Sequence, residues 1–362
     1  MKKSIYIHVG PPKTGTSILQ SWLSSHADEL HEASNIYYPV HDIDENQVSS
    51  GHNQLFLDKK VGKKSAFCHQ NFQKLLDKFD LDTFNILLLS SEYFFYQIPE
   101  FMKYAGKYDI KFITYVRPEF EFIESVYNQS VKRNRQNMPM AMRSKINNTY
   151  LDSLIEYILT YGKEYFLLRA YGAKSFFEKN IISDFLSVFN LERLIQANTI
   201  IPIINSSYSF DCLEFKRWTN NFSIDGLDNI LDKKLQAYTG GHENYTLIPE
   251  QKYIDYKTHS KQKIAAIHEL CPITNYEHLS AYIEQNKRPV YMHQDLYDGH
   301  LVKVLNFLIK EDFKFTKTLF AVLSTQENLN EKDKHRISIF QKELSKVNNK
   351  GRFKAILNKI LQ

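Results

Sequence analysis

The chain has 362 residues, of which 43% are hydrophobic and 14% aromatic, so it can form a sizeable core and is not a largely disordered chain. The net charge of +5 is modest and the basic residues are mixed with acidic ones, which excludes a dedicated nucleic-acid binder. Three cysteines without a CxxC pair predict reduced thiols and no metal site.

The N-terminus runs directly into a short strand pattern. No later stretch reaches the length and apolar character that a signal peptide or a membrane span requires. We therefore expect a cytoplasmic protein without an integral membrane segment. The sequence does not predict its oligomeric state.

Strand and helix patterns alternate along the first 190 residues. Residues 5–9 form a β-branched run that predicts a strand. A Gly-bounded loop follows, and apolar residues then recur at helical spacing from Ile18 to Leu30. Residues 86–89, 112–116 and 165–168 predict three further buried strands. This alternation indicates an α/β fold of the P-loop-like, three-layer kind, with a central parallel sheet flanked by helices.

The pattern becomes more helical beyond about residue 200. We predict an α/β domain over residues 1–285 and a mainly helical C-terminal extension over residues 286–362. In a parallel sheet, ligands bind at the carboxyl ends of the strands. Each polar motif discussed below follows such a strand end, so the α/β domain is expected to carry the functional site.

The loop from Gly10 to Ser17 has the composition of an anion-binding site. A helix N-terminus offers unpaired N–H groups and a dipole that favours negative charge. Gly15 allows close approach of a ligand, Thr16 and Ser17 add hydroxyl groups, and Lys13 adds a cation. The alternative is an ordinary strand-to-helix turn. A Mg-ATP site is disfavoured, because a triphosphate-binding P-loop has Lys where this chain has Thr16.

A second anion site is predicted after the third strand. Arg117 leaves that strand at its carboxyl end, Ser125 lies about two helical turns later, and Lys132 lies two turns further on. The Arg fork suits phosphate oxygens, and Ser adds a hydroxyl. The structural alternative is an ion pair between Arg117 and Glu121. Combined with the first loop, this pattern indicates one ligand with two separate anionic groups.

These residues resemble the sulfotransferase superfamily that uses 3′-phosphoadenosine-5′-phosphosulfate (PAPS). The segment from Pro12 to Ser17, which includes Thr14, resembles the family's 5′-phosphosulfate loop. Arg117 with Ser125 resembles its 3′-phosphate element. Tyr171, after the fourth strand, is similar to a residue that helps hold the adenine. The likeness covers roughly residues 3–285 and is patchy after 200.

Bacterial carbohydrate-type members are the most similar, through Gly51-His52-Asn53 and Ser90-Ser91-Glu92. Many members have a further basic, Gly-containing loop that closes on the 3′-phosphate. That loop is not recognisable within the resembling region, and residues 349–352 are only a faint candidate for it.

The resemblance implies transfer of a sulfuryl group from PAPS to a hydroxyl or amine, with a glycan or glycolipid as the preferred acceptor. Lys13 would stabilise the bridging oxygen, so no metal is required. For the general base, Glu92 at a strand end is the first choice. His52, in an irregular segment, is the second, and His8 is more typical of a core histidine.

Two other interpretations stay open. A small-molecule kinase of P-loop type would need Mg-ATP and a Lys after Gly15. A non-catalytic binding protein on the same fold would be expected to have lost Lys13 or Arg117, and both are present.

Overall fold

The computed structural model describes residues 2–41, 49–58, 66–143, 146, 149–172, 174–195 and 208–360, with side chains to residue 347. The strands are β1 Ser4–Gly10, β2 Ile36–Tyr37, β3 Leu57–Asp58, β4 Ala66–Phe67, β5 Ile86–Ser90, β6 Asp109–Val116, β7 Phe166–Ala170, β8 Tyr245–Thr246, β9 Ile273–Thr274 and β10 Val290–Tyr291.

The helices are α1 Thr16–Ser25, α2 Ala27–Ser34, α3 Asn53–Phe56, α4 His69–Leu81, α5 Ile98–Met102, α6 Glu119–Arg133, α7 Tyr150–Tyr161, α8 Ile181–Leu186, α9 Phe210–Thr219, α10 Asp228–Ala237, α11 Glu250–Leu270, α12 Tyr276–Gln285, α13 Asp298–Glu311, α14 Phe313–Ser324 and α15 Glu331–Ile360. Short 3₁₀ turns cover Glu92–Gln97, Lys163–Tyr165, Phe177–Lys179, Ser187–Phe189 and Glu192–Leu194.

The chain divides into two compact units. The first contains residues 1–123, 143–204 and 253–287, and the second contains residues 124–142, 205–252 and 288–362. The boundary predicted at residue 285 lies close to one of these divisions. Two earlier segments, expected in the α/β domain, group with the C-terminal helices instead. Helix α9 packs against α13, and helical periodicity does not reveal a pairing between segments so distant in sequence.

The first unit is built on a six-stranded parallel sheet in the order β2-β5-β1-β6-β7-β9. Its four longer strands correspond to the four that the sequence predicted. The prediction of an α/β fold with a central parallel sheet flanked by helices, and of a helical C-terminal region, is therefore confirmed. The sequence analysis missed the edge strands β2 and β9, because two residues are too few for a periodic signal.

Both faces of the sheet are packed, as alternation along β6 shows. Ile113 joins a buried cluster with Leu19 of α1 and Phe185 of α8. Its neighbour Phe112 points to the opposite face, where its ring lies 6.4 Å from that of Phe101 in α5. The apolar strands are thus buried on both sides, as a parallel sheet requires.

The helices α9, α10, α13, α14 and α15, together with the short parallel pair β8 and β10, belong to the second unit. Its core includes the buried side chains of Leu213, Leu305 and Leu308. The indole Nε1–H of Trp218 donates to Asp333 Oδ1 at 2.9 Å. No helix in the described part of the chain has the length and apolar character needed to cross a membrane.

A buried ion pair ties β7 to α8 in the first unit. Arg169 Nε lies 2.6 Å from Asp184 Oδ2, and Arg169 Nη2 lies 3.0 Å from Asp184 Oδ1. The hydroxyl of Tyr115 and the backbone N–H of Phe177 also donate to this carboxylate, each at 2.9 Å. All these donors converge on one carboxylate, and it holds α8 against the sheet.

We predict that Asp184→Ala destabilises the protein by about 3 kcal/mol or more, because it leaves the Arg169 charge buried without its partner. The measurement is the free energy of unfolding from urea denaturation. The matched control is Glu284→Ala, which removes a carboxylate from the exposed pair with Lys261 and should change stability little. Equal losses in the two variants would show that the buried pair is not a structural anchor.

Candidate functional site

The loop between β1 and α1 has two residues in the left-handed backbone region. Gly15, at φ 76°, is the N-cap of α1, and a Cβ there would clash with the side chain of Ile181. The positive φ therefore favours glycine at this position. Lys13 has φ 69°, which is unusual for a residue with a side chain and costs roughly 1 kcal/mol or more. The Lys13 side chain is half-buried.

The polar groups of this loop have different roles. The buried Thr14 hydroxyl donates to the carbonyl of Pro11 at 2.6 Å, so it shapes the loop. The buried Thr16 Oγ1 has no hydrogen-bond partner among the residues that the structure describes. The helix begins at Thr16, so its N–H and that of Ser17 precede the first helical hydrogen bonds. These groups can bind an anion at the positive end of α1.

Arg117, which follows β6, is joined to this loop. Its Nη1 donates to the carbonyl of Lys13 at 2.7 Å, and its guanidinium lies 5.1 Å from the ring centre of Tyr171. Its Nε also pairs with Glu121 at 3.3 Å, which is the structural alternative proposed for it. The structure therefore brings together Lys13, Arg117 and Tyr171, with Glu121 as a carboxylate already bound to Arg117.

Ser125 and Lys132 lie further along α6 and belong to the second unit. Ser125 is half-buried. Lys132 is buried, with its ammonium group 5.0 Å from the ring centre of Tyr208. The joint binding of one phosphate by Arg117 and Ser125 stays a prediction.

Glu92 begins the 3₁₀ turn after β5 and packs against the end of β1. A Cβ on Gly10 would lie 3.2 Å from Glu92 Cα, so the two strand ends are in close contact. Burial raises the pKa of the Glu92 carboxyl group, and the nearby charge of Lys13 opposes this shift. The carboxyl group of the predicted base thus lies close enough to the predicted catalytic cation for their charges to interact.

His52 occupies a structural position. It is fully buried, its Nδ1 accepts from the N–H of Ser90 at 2.9 Å, and its Nε2–H donates to the carbonyl of Pro39 at 2.7 Å. Burial lowers its pKa to about 3. Both ring nitrogens have backbone partners, so this conformation leaves none to receive a proton from an acceptor. The structure therefore gives His52 no ring nitrogen available for the role of second-choice base.

The same segment also fixes the end of β5 by its backbone. The N–H of His52 donates to the carbonyl of Ser90 at 3.0 Å, and the hydroxyl of Ser91 donates to the carbonyl of Ser50 at 2.7 Å. Gly51 has φ 68°, and a Cβ there would clash with the Ser90 carbonyl. The two short motifs, Gly-His-Asn and Ser-Ser-Glu, therefore contact each other and position Glu92.

His8, the third candidate base, is buried within β1. Its Nδ1 lies 2.9 Å from the hydroxyl of Ser90, and burial lowers its pKa to about 3. It has the environment expected of a core histidine. The late candidate at residues 349–352 lies in α15, beyond the side chains that the structure describes.

A shallow pocket beside Glu121 was not predicted from the sequence. Tyr282 donates to the Glu121 carboxylate, and Asn286 Nδ2 lies 3.3 Å from its Oε1. The pocket is lined by Lys174, His278, Ala281, Tyr282, Gln285 and Asn286. Its α12 residues recur three and four positions apart, so they share one helix face. That spacing is the signal that could have identified them.

Comparisons with known proteins do not assign the chain to a family. No family model matches it, and no curated protein and no solved structure is significantly similar to it. The functional proposal therefore rests on the chemistry of the site itself.

We predict that His52→Ala destabilises the fold by about 2 kcal/mol or more. It removes a buried ring and leaves the Ser90 N–H and the Pro39 carbonyl without their partners. The measurement is the urea midpoint, with the exposed His278→Ala as the control. A stable His52→Ala protein would show that this imidazole does not hold the end of β5.

Proposed function

We propose that this protein is a sulfotransferase that moves a sulfuryl group from PAPS to a hydroxyl or amine of an acceptor. One observation carries the proposal: the charges of Lys13 and Glu92 interact beside the N-terminus of α1, and Arg117 is bound to the same loop. A cation, a carboxyl group with a raised pKa and an anion-binding helix end are the groups that sulfuryl transfer needs. The parallel sheet supports a P-loop-like assignment of the fold.

The donor binds along the loop in this proposal. The N–H groups of Thr16 and Ser17 and the Thr16 hydroxyl hold the 5′-phosphosulfate, and Arg117 binds the 3′-phosphate. Arg117 exchanges Glu121 for the phosphate, because a dianion at close range competes well with one partly exposed carboxylate. Tyr171 lies beside both Arg117 and Gly15, where its ring can pack on the adenine.

The reaction is an in-line displacement at sulfur. The acceptor oxygen or nitrogen forms a bond to sulfur while the bond from sulfur to the bridging oxygen breaks. The electron pair of that bond goes to the 5′-phosphate of adenosine 3′,5′-bisphosphate. Lys13 stabilises this developing negative charge, and Glu92 accepts the proton of the acceptor. The reaction resembles phosphoryl transfer, in which positioning and charge stabilisation supply most of the catalysis.

The acceptor is a glycan or glycolipid in our proposal. Two exposed aromatic rings, those of Tyr93 and Tyr96, lie in the same 3₁₀ turn as Glu92. Their flat apolar faces can stack on a pyranose ring, while the phenol groups form hydrogen bonds. A saccharide bound there would present a hydroxyl near the proposed base.

We predict that adenosine 3′,5′-bisphosphate raises the melting temperature of the full chain in the presence of a chelator, and does so more than 5′-AMP. Arg117→Ala should lose at least tenfold in affinity for the bisphosphate and little for 5′-AMP, because about 2 kcal/mol of charge-assisted hydrogen bonding is lost.

The control for this experiment is Lys111→Ala, which removes a cation in β6 away from its carboxyl end. Stabilisation by Mg-ATP in preference to the bisphosphate would indicate the kinase alternative. Equal losses for both nucleotides in Arg117→Ala would show that Arg117 is structural.

We predict that Glu92→Gln lowers turnover by roughly a hundredfold or more, the usual scale for a general base. A base acts when deprotonated, and the pKa of Glu92 is raised, so the wild-type rate should fall as pH drops through that raised pKa. The variant should lose this acidic limb and still bind adenosine 3′,5′-bisphosphate.

The assay uses radiolabelled PAPS with a panel of saccharide acceptors. Lys13→Ala is the second variant, and its turnover should also be abolished because the leaving oxygen loses its cation. The exposed Glu277→Gln is the matched control. If Glu92→Gln keeps wild-type turnover and the same loss of rate at low pH, Glu92 is not the base.

A further inference from the structure

Three potential metal ligands from distant parts of the sequence meet in the second unit. Asp211 lies in the first turn of α9, His242 lies in the loop before β8, and His300 lies in the first turn of α13. Each offers one ligand atom, and these atoms all lie within 4.8 Å of one another. The sequence predicted no metal site, because the three residues do not form a short spacing motif.

The backbone fixes this arrangement. Asp211 Oδ2 accepts from the N–H of His242 at 2.8 Å and lies 3.0 Å from its Nδ1. The carbonyl of His242 in turn accepts from the N–H of Phe210 at 2.9 Å. The ring of Phe210 also packs edge-on against His300, with 5.5 Å between the ring centres. The loop and both helices are therefore held together before any ligand binds.

Two buried atoms of the cluster lack hydrogen-bond partners within the described part of the chain: Asp211 Oδ1 and His300 Nδ1. The Asp211 side chain is fully buried. Buried polar atoms are normally satisfied by a partner, and this holds most strongly for a carboxylate. Both atoms are ligands that a metal ion accepts, so one ion could satisfy them together.

We propose that Asp211, His242 and His300 bind a divalent transition-metal ion of the zinc class. Bond lengths of about 2.0–2.1 Å place neighbouring ligand atoms of a tetrahedral zinc ion about 3.3 Å apart. Asp211 Oδ2 and His242 Nδ1 are 3.0 Å apart, and all the ligand atoms lie within 4.8 Å of one another, so a bound ion would draw the widest pair closer together. Two imidazoles favour zinc-class ions over Mg²⁺ or Ca²⁺, which prefer oxygen ligands.

His242 gives the site access to solvent. Its side chain is 44% exposed, whereas that of Asp211 is fully buried. Metal can therefore enter past His242, and water can fill the coordination position that the three side chains leave. The site lies wholly within the second unit, and it does not depend on the proposed sulfotransferase activity.

The test uses the untagged full chain, stripped with a chelator and then titrated with Co²⁺ alone. We expect one ion per chain and the visible absorption of Co²⁺ bound to nitrogen and oxygen ligands. His242→Ala should weaken Co²⁺ binding at least tenfold. Losing even an outer-shell partner of a metal ligand lowers metal affinity by about tenfold to a hundredfold. The exposed His278→Ala, in the first unit, is the matched control and should bind Co²⁺ like the wild type.

A second measurement keeps folding and binding apart. Zn²⁺ should raise the melting temperature of the stripped wild type and of His278→Ala, but not that of His242→Ala. His242 is partly exposed, so this variant is expected to fold, and circular dichroism checks that it does. The proposal is overturned if the wild type binds no Co²⁺, or if folded His242→Ala binds it with unchanged affinity.

Discussion

The candidate site depends on the way β5 and β6 flank β1, so that the carboxyl ends of the three strands meet. His8 of β1 is in register with Ser90 of β5, and Gly10 is in register with Thr114 of β6. Gly10 has no side chain, which allows the Glu92 backbone to approach closely. Strand pairing alone thus brings three loops to one edge of the sheet, and each loop contributes one charged residue there: Lys13, Glu92 and Arg117.

Charge balance explains how two cations can lie partly buried at these strand ends. Lys13 and Arg117 are the two cations, and each has a carboxylate nearby: Glu92 for the first and Glu121 for the second. Neighbouring opposite charges reduce the cost of holding each group partly buried. An anionic ligand at the loop would repel both carboxylates and attract both cations. The same balance therefore lowers the cost of placing both cations at the strand ends, where they can attract an anionic ligand.

The sequence was sufficient for the parts of the structure that local chemistry determines. The four long strands, the loop at Lys13 and the Arg117 strand end all follow from short patterns of residue types. His52 shows where this reasoning stops, because its position in an irregular segment suggested access to the site. In the structure both its nitrogens bind backbone groups, those of Pro39 and Ser90, which lie 13 and 38 residues away in the chain. Such pairings, like those of α9 with α13, depend on tertiary contacts that no local pattern encodes.

Buried polar atoms without a described partner need a second observation before they indicate a ligand. Thr114 Oγ1 and Ser183 Oγ are two such atoms within the elements of the first unit. A neutral hydroxyl in that position costs about 1–3 kcal/mol, which a large core can tolerate. Asp211 differs because its group is a carboxylate, whose burial costs more, and because two imidazoles converge on it. A carboxylate oxygen without a described partner beside converging ligand atoms is much harder to explain by packing alone, and a bound cation would account for both features.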